Sequence, residues 1–186
     1  MLRRLVIRLY GEIFRILKRN KTKELERIYE DIREFVRDVL DLNLNKIEIY
    51  PLLPSEKANG LFIPKDKIYV KLNENEILTL AHEVGEKIME ENWKWNEKFR
   101  EVERSSNLKE YKEMKEIRQA WCDMFTYLFA LRYFPHLAMQ FLERKKGNSL
   151  FYFLVFYERC RNCSKTLKIG FEIKNRKELR EFLRNK

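Results

Sequence analysis

The sequence predicts an α+β fold, with long helices around a small sheet in a single domain of 186 residues. Three observations predict it. Apolar residues recur at helical spacing over most of the chain, but the period drops to two between residues 46 and 72, and a continuous apolar run follows at 150–157. Gly (5) and Pro (4) are scarce, which opposes both a turn-rich sandwich and a Pro-rich linker. Hydrophobic residues make up 45%, enough to build a core.

The first part, residues 1–45, reads as N-terminal helices. Leu2, Leu5, Val6, Leu9, Ile13, Ile16 and Leu17 form one stripe among Arg3, Arg4, Arg8, Arg15 and Lys18. A basic amphipathic helix of this kind can lie on an anionic membrane or bind a partner; the reading preferred here is that it docks on its own domain. Thr22 is the expected N-cap of a second helix, whose stripe runs Leu25, Ile28, Tyr29, Ile32, Phe35, Val36, Val39, Leu40 and ends at Asn43 and Asn45.

Residues 46–135 form the expected core unit. Residues 46–50, 61–63 and 67–72 read as short strands, punctuated by Pro51, Pro54, Asn59-Gly60 and Pro64. A long helix is predicted from Asn75 to Trp95, then a polar segment over 96–107, then a second long helix over 108–134 that stops before Pro135. In the last part, residues 136–186, the apolar run 150–157 and residues 166–173 read as the two strands of a C-terminal β-hairpin with Cys160-Arg-Asn-Cys163 at its turn. Asn175 caps a final short basic helix.

Composition narrows the function classes. Three Cys exclude a disulfide-dense secreted scaffold. No apolar run approaches the ~18 residues of a membrane span. Arg8, Glu12 and Arg15 interrupt any secretion signal, so a cytoplasmic protein with reduced thiols is expected. The abundance of Lys, Glu and Arg beside only two Gln is thermophile-like. The net charge of +10 sits at the ends: residues 1–23 carry eight Lys/Arg and one Glu, and residues 158–186 carry ten Lys/Arg and four Glu. Such termini suit nucleic acid or an acidic partner. There is no P-loop, dinucleotide fingerprint or nucleophile elbow.

The chemistry-bearing constellation is Leu80-Ala-His-Glu-Val-Gly-Glu86. On a helix, His82 and Glu86 point the same way, one turn apart, with Glu83 one step around. Two ligands at i and i+4 with an intervening Glu as general base is the geometry of a zinc helix. In the next long helix, Glu116, Gln119 and Asp123 form a polar stripe that enters an apolar segment, and a shared site facing His82 and Glu86 would satisfy them. The plainer alternative is a hydrogen-bonded core histidine with carboxylates in ion pairs.

From Ala58-Asn-Gly-Leu-Phe-Ile-Pro-Lys-Asp-Lys-Ile-Tyr-Val70 through Ile77-Leu-Thr-Leu-Ala-His-Glu-Val-Gly85 to Gln119-Ala-Trp-Cys-Asp123-Met-Phe125 and Pro135, the chain resembles the zincin metallopeptidases of the ImmA/IrrE type. The resemblance covers about residues 46–135. It implies a zincin-like fold, a divalent metal held by the two helices, and Glu83 as catalytic base toward a peptide or protein substrate. Two residues depart from the family pattern: Glu86 stands where the second His ligand belongs, and Gln119 where a ligating Glu belongs. One of Glu116, Gln119 or Asp123 would have to complete a set with His82 and Glu86. That His-Glu-x-x-Glu site would be oxygen-rich, suiting Mn²⁺ or Mg²⁺ better than Zn²⁺. A pseudoenzyme of low or no peptidase activity is the expected outcome. A non-enzymatic binding module using the basic termini is the alternative. Cys160 and Cys163 are half a zinc knuckle, a secondary metal candidate short of the usual four ligands.

Overall fold

A computed structural model of the chain describes residues 2–52, 60–63, 66–144 and 163–184. It is α+β and mostly helical. Helix α1 (Leu2–Leu40) leads into strands β1 (Glu48–Leu52), β2 (Gly60–Ile63) and β3 (Lys67–Lys71). Helices α2 (Glu76–Asn92), α3 (Asn96–Arg104), α4 (Leu108–Tyr133) and α5 (Pro135–Arg144) follow, and α6 (Cys163–Gly170) and α7 (Arg176–Arg184) close the described chain.

The expected pair of N-terminal helices is one continuous helix. Thr22 does not cap a new segment; its hydroxyl donates to the Lys18 carbonyl at 2.9 Å inside the running helix. No Gly or Pro lies between residues 12 and 50 to force a break. The helix ends instead at Asp41, whose φ of 55° is the left-handed conformation that terminates helices. The buried stripe from Leu25 through Ile28, Ile32 and Val36 to Leu40 packs its C-terminal half onto β1, α2, α4 and α6.

The sheet order is β1-β3-β2, with β1 and β3 parallel and β2 and β3 antiparallel. Alternation works as expected: Ile49, Ile68 and Val70 face the core, while Tyr50 and Tyr69 pair across the other face with ring centroids 5.0 Å apart. Pro51 lies within β1 and does not end it, which an edge strand tolerates because one row of its N–H groups has no ladder partner. Asp66 makes the turn into β3 with φ of 60°. Its carboxylate and that of Glu91 hold the buried ammonium of Lys87, fastening the turn to α2.

The polar segment 96–107 is in fact largely helical. Helix α3 buries only Asn96, Phe99 and Val102, too few apolar positions to mark a period. The return strand expected over 166–173 is also absent: Cys163–Gly170 is helix α6, so the C-terminal β-hairpin is not formed there. A four-residue alternation such as Thr-Leu-Lys-Ile fits one helical turn equally well, with Leu167 buried and Lys168 exposed. Residues 150–157 and Cys160 lie outside the described residues. Asn175 caps α7 as expected, accepting from the N–H groups of Lys177 and Glu178 at 3.0 Å each.

The C-terminal segment is clasped by the tryptophans. The indole N–H of Trp93 donates to Ile173 O (3.0 Å), that of Trp95 to Glu172 O (2.8 Å) and that of Trp121 to Leu167 O (2.8 Å). These are the three tryptophans of the chain.

Candidate functional site

Helices α2 and α4 pack against each other, as the matched polar stripes predict. They run antiparallel: His82 meets Asp123, and Glu86 meets Gln119 and Arg118. Gly85 lies at the closest part of the seam. A Cβ there would stand 3.4 Å from Cα and Cβ of Cys122 and from the Phe125 ring. Residues 121–130 are buried without exception, so Asp123 faces α2 from within an apolar stretch, while Arg118 and Gln119 just ahead of it are half-buried.

The site is a connected set of charges. His82 Nδ1 lies 3.3 Å from Asp123 Oδ1, and its Nε2 faces Glu86 Oε1 at 3.8 Å. Glu86 Oε2 accepts from Arg118 Nε at 2.6 Å, and Oε1 accepts from the Gln119 amide. Arg118 also donates to the Glu86 carbonyl at 3.2 Å and to Glu90 Oε2 at 3.3 Å. Glu90 in turn pairs with Arg100 of α3. The Arg118 guanidinium rests 5.6 Å from the centre of the Phe99 ring, which holds it in place. Asp123 is 7% exposed, Arg118 12% and Glu86 15%, so the contacts among these three are largely shielded from water, whereas Arg100 at the outer end is exposed.

Burial pushes the His82 imidazole toward its neutral form, but the Asp123, Glu86 and Glu83 carboxylates outweigh it and leave its pKa raised. Burial lifts the Cys122 thiol well above its ordinary value, aided by the Glu86 charge.

Of the residues singled out in the sequence, His82, Glu86, Gln119 and Asp123 come together. Glu116 does not join them; it accepts from Arg176 of α7 at 3.1 Å. Glu83 packs over β2, where a Cβ on Gly60 would meet its Oε1 at 2.6 Å. Cys163 opens α6, and Cys160 is outside the described residues. The sequence reading missed Arg118 and Glu90. The signal was present: Glu86 and Glu90 are one turn apart, and Arg118 directly precedes Gln119.

A divalent ion on His82 Nε2 needs further donors. Asp123 occupies the other ring nitrogen, the position of a group that orients a histidine. Both Glu86 oxygens accept from Arg118 and Gln119, and the guanidinium already supplies the positive charge a metal would bring. Among the described residues no group of three or more His, Cys, Asp or Glu is arranged to hold a metal ion. What the arrangement offers is an ion-paired, hydrogen-bonded junction between two helices. Comparison of the chain with family models, with curated proteins and with solved structures finds no match.

Proposed function

We propose that the protein is a metal-free, non-hydrolytic counterpart of the zincin metallopeptidases, a zincin-like scaffold whose metal position is filled by side chains. Support for the scaffold comes from the order of parts: a Gly-led strand against the Glu of a His-Glu helix, and a second helix that returns an acid to the His. The observation that carries the non-hydrolytic reading is the double donation from Arg118 and Gln119 to Glu86. A catalytic zinc takes three protein ligands and a water. Here one candidate ligand is spent on an arginine, so Glu83 has no metal-bound water to deprotonate.

The test is elemental analysis of protein purified without chelator or affinity metal, together with peptide-library cleavage by wild type and Glu83→Gln. Metal far below one ion per chain, and no cleavage that depends on Glu83, is the expected result. Stoichiometric metal with cleavage abolished in Glu83→Gln would refute the reading.

A second reading, a binding module for nucleic acid or an acidic partner, draws on α7. Arg176, Arg180 and Arg184 are each one turn apart on exposed positions, and with Lys177 they line an open cavity of about 550 Å³ that also includes Glu113 and Glu181. Binding through this face would fall steeply with salt.

A further inference from the structure

Helix α1 is 39 residues long, ~58 Å at 1.5 Å per residue. Its first buried side chain among those described is Leu25. Residues 16–20 are all exposed, and five successive positions go more than once around a helix. At that point the helix stands clear of the body on every side. Ile16 and Leu17 are 59% and 57% exposed there. Just beyond, Lys21 ties the root of the helix to the body through Glu76 of α2 at 2.5 Å. Ahead of the root the backbone remains helical from Leu2, giving an arm of roughly 30 Å.

The sequence of this arm places apolar residues at 2, 5, 6, 9, 13, 16 and 17 and, through residue 23, eight Lys/Arg against a single Glu. We propose that the arm is a peripheral membrane anchor. It lies in the plane of an anionic phospholipid surface, with its apolar stripe at the acyl boundary and its basic residues among the headgroups. The two features together select this occupant. A nucleic acid would use the charge and leave Ile16 and Leu17 in water. A second copy of the arm would use the stripe but set two strongly positive helices against each other. An anionic bilayer uses both. Among the described residues no helix is long and apolar enough to cross a membrane, which separates lying on the surface from spanning it.

The experiment is co-sedimentation of the full chain with phosphatidylcholine vesicles and with vesicles containing about 30% phosphatidylglycerol. The expected result is binding to the anionic vesicles alone, weakened at least tenfold when salt rises from about 0.1 M to about 0.5 M. Ile16→Asp with Leu17→Asp is expected to lower the partition coefficient about tenfold or more while leaving the melting temperature unchanged, because both side chains are already solvated. Replacing Arg4, Arg8 and Arg15 by Gln is expected to lower it by about a hundredfold. Absence of binding to the anionic vesicles, or binding that the double Asp variant leaves intact, would overturn the proposal. So would a dimer in light scattering that the double Asp variant abolishes while vesicle binding is missing.

Discussion

Arg118 stands beside Glu86 as the compensating cation of a shielded carboxylate, and the energetic consequence follows from that placement. Arg118→Met keeps the stem on Phe99 but removes the charge, leaving Glu86 with the Gln119 amide and the more distant His82 imidazole. Breaking one partner of a buried pair costs about 3–5 kcal/mol, and the partial exposure here reduces that to about 2–3 kcal/mol, read as a lower urea midpoint. Pairing it with Glu86→Gln should recover part of the loss; a strictly additive double-mutant cycle would show that the two side chains are not coupled. The His82–Asp123 contact carries a pH signature. Because the folded-state pKa of His82 is raised, the pair contributes fully below the unfolded value near ~6.5 and its contribution fades as pH rises through the folded value. Wild type should lose stability relative to His82→Gln as pH rises from about 6.5 through the raised folded-state value; denaturation curves that keep a constant offset would contradict this. At this scale the sequence was informative wherever a polar residue interrupted an apolar period, as at His82, Gln119 and Asp123. It was misleading at Glu116, which shares the stripe but sits close enough to the end of α4 to meet α7. Partner choice depends on tertiary contacts that spacing along one helix does not contain.

Elements are joined here at two glycines with different tolerances. At Gly85 an added methyl makes ordinary contacts of 3.4 Å with α4, and Ala is about 1 kcal/mol better than Gly in a helix. Gly85→Ala should therefore be neutral or stabilising by up to about 1 kcal/mol, while Gly85→Val overlaps Cys122 and Phe125 and should destabilise by about 2 kcal/mol. Gly60 has no such room: its Cβ would meet both Thr79 and Glu83 of α2 at 2.6 Å. Gly60→Ala should push β2 away from α2 and cost about 1–3 kcal/mol, measurable by thermal unfolding. Long elements with a broad apolar stripe, α2 and α4, were readable nearly to their ends. The errors fell on short or uniformly polar stretches: α3 offers two buried apolar residues, α6 a four-residue alternation compatible with either period, and the Lys/Arg-rich middle of α1 no stop signal at all. In each case the helix is decided by what the segment packs against and by the lack of a breaker, rather than by the local pattern.

For the molecule as a whole, the core is assembled from distant parts of the chain. The C-terminal half of α1, the inner face of the sheet, the α2–α4 pair and α6 share one apolar cluster that includes Leu25, Ile68, Val84, Phe125 and Leu167. The α+β class was evident from the two periodicities, whereas the placement of the C-terminal segment was not, because it rests on long-range packing of Leu167 and Ile173 and on backbone carbonyls that any sequence would present. Those carbonyls carry the clasp formed with Trp93, Trp95 and Trp121. The cap of the last helix supports the same region: Asn175→Ala removes two acceptor contacts and should cost about 1 kcal/mol of stability.

The clasp has an optical consequence. All three indoles of the chain have their N–H groups anchored on residues 167–173, so the intrinsic tryptophan emission of the protein is a gauge of whether that one segment is seated. Release of the segment would leave the α2–α4 junction in place yet hand three indole donors to water, a red shift in fluorescence with little change in far-ultraviolet ellipticity. In a denaturant titration the two signals would then separate, with emission moving first. Partial opening of this fold would thus be visible without any added label.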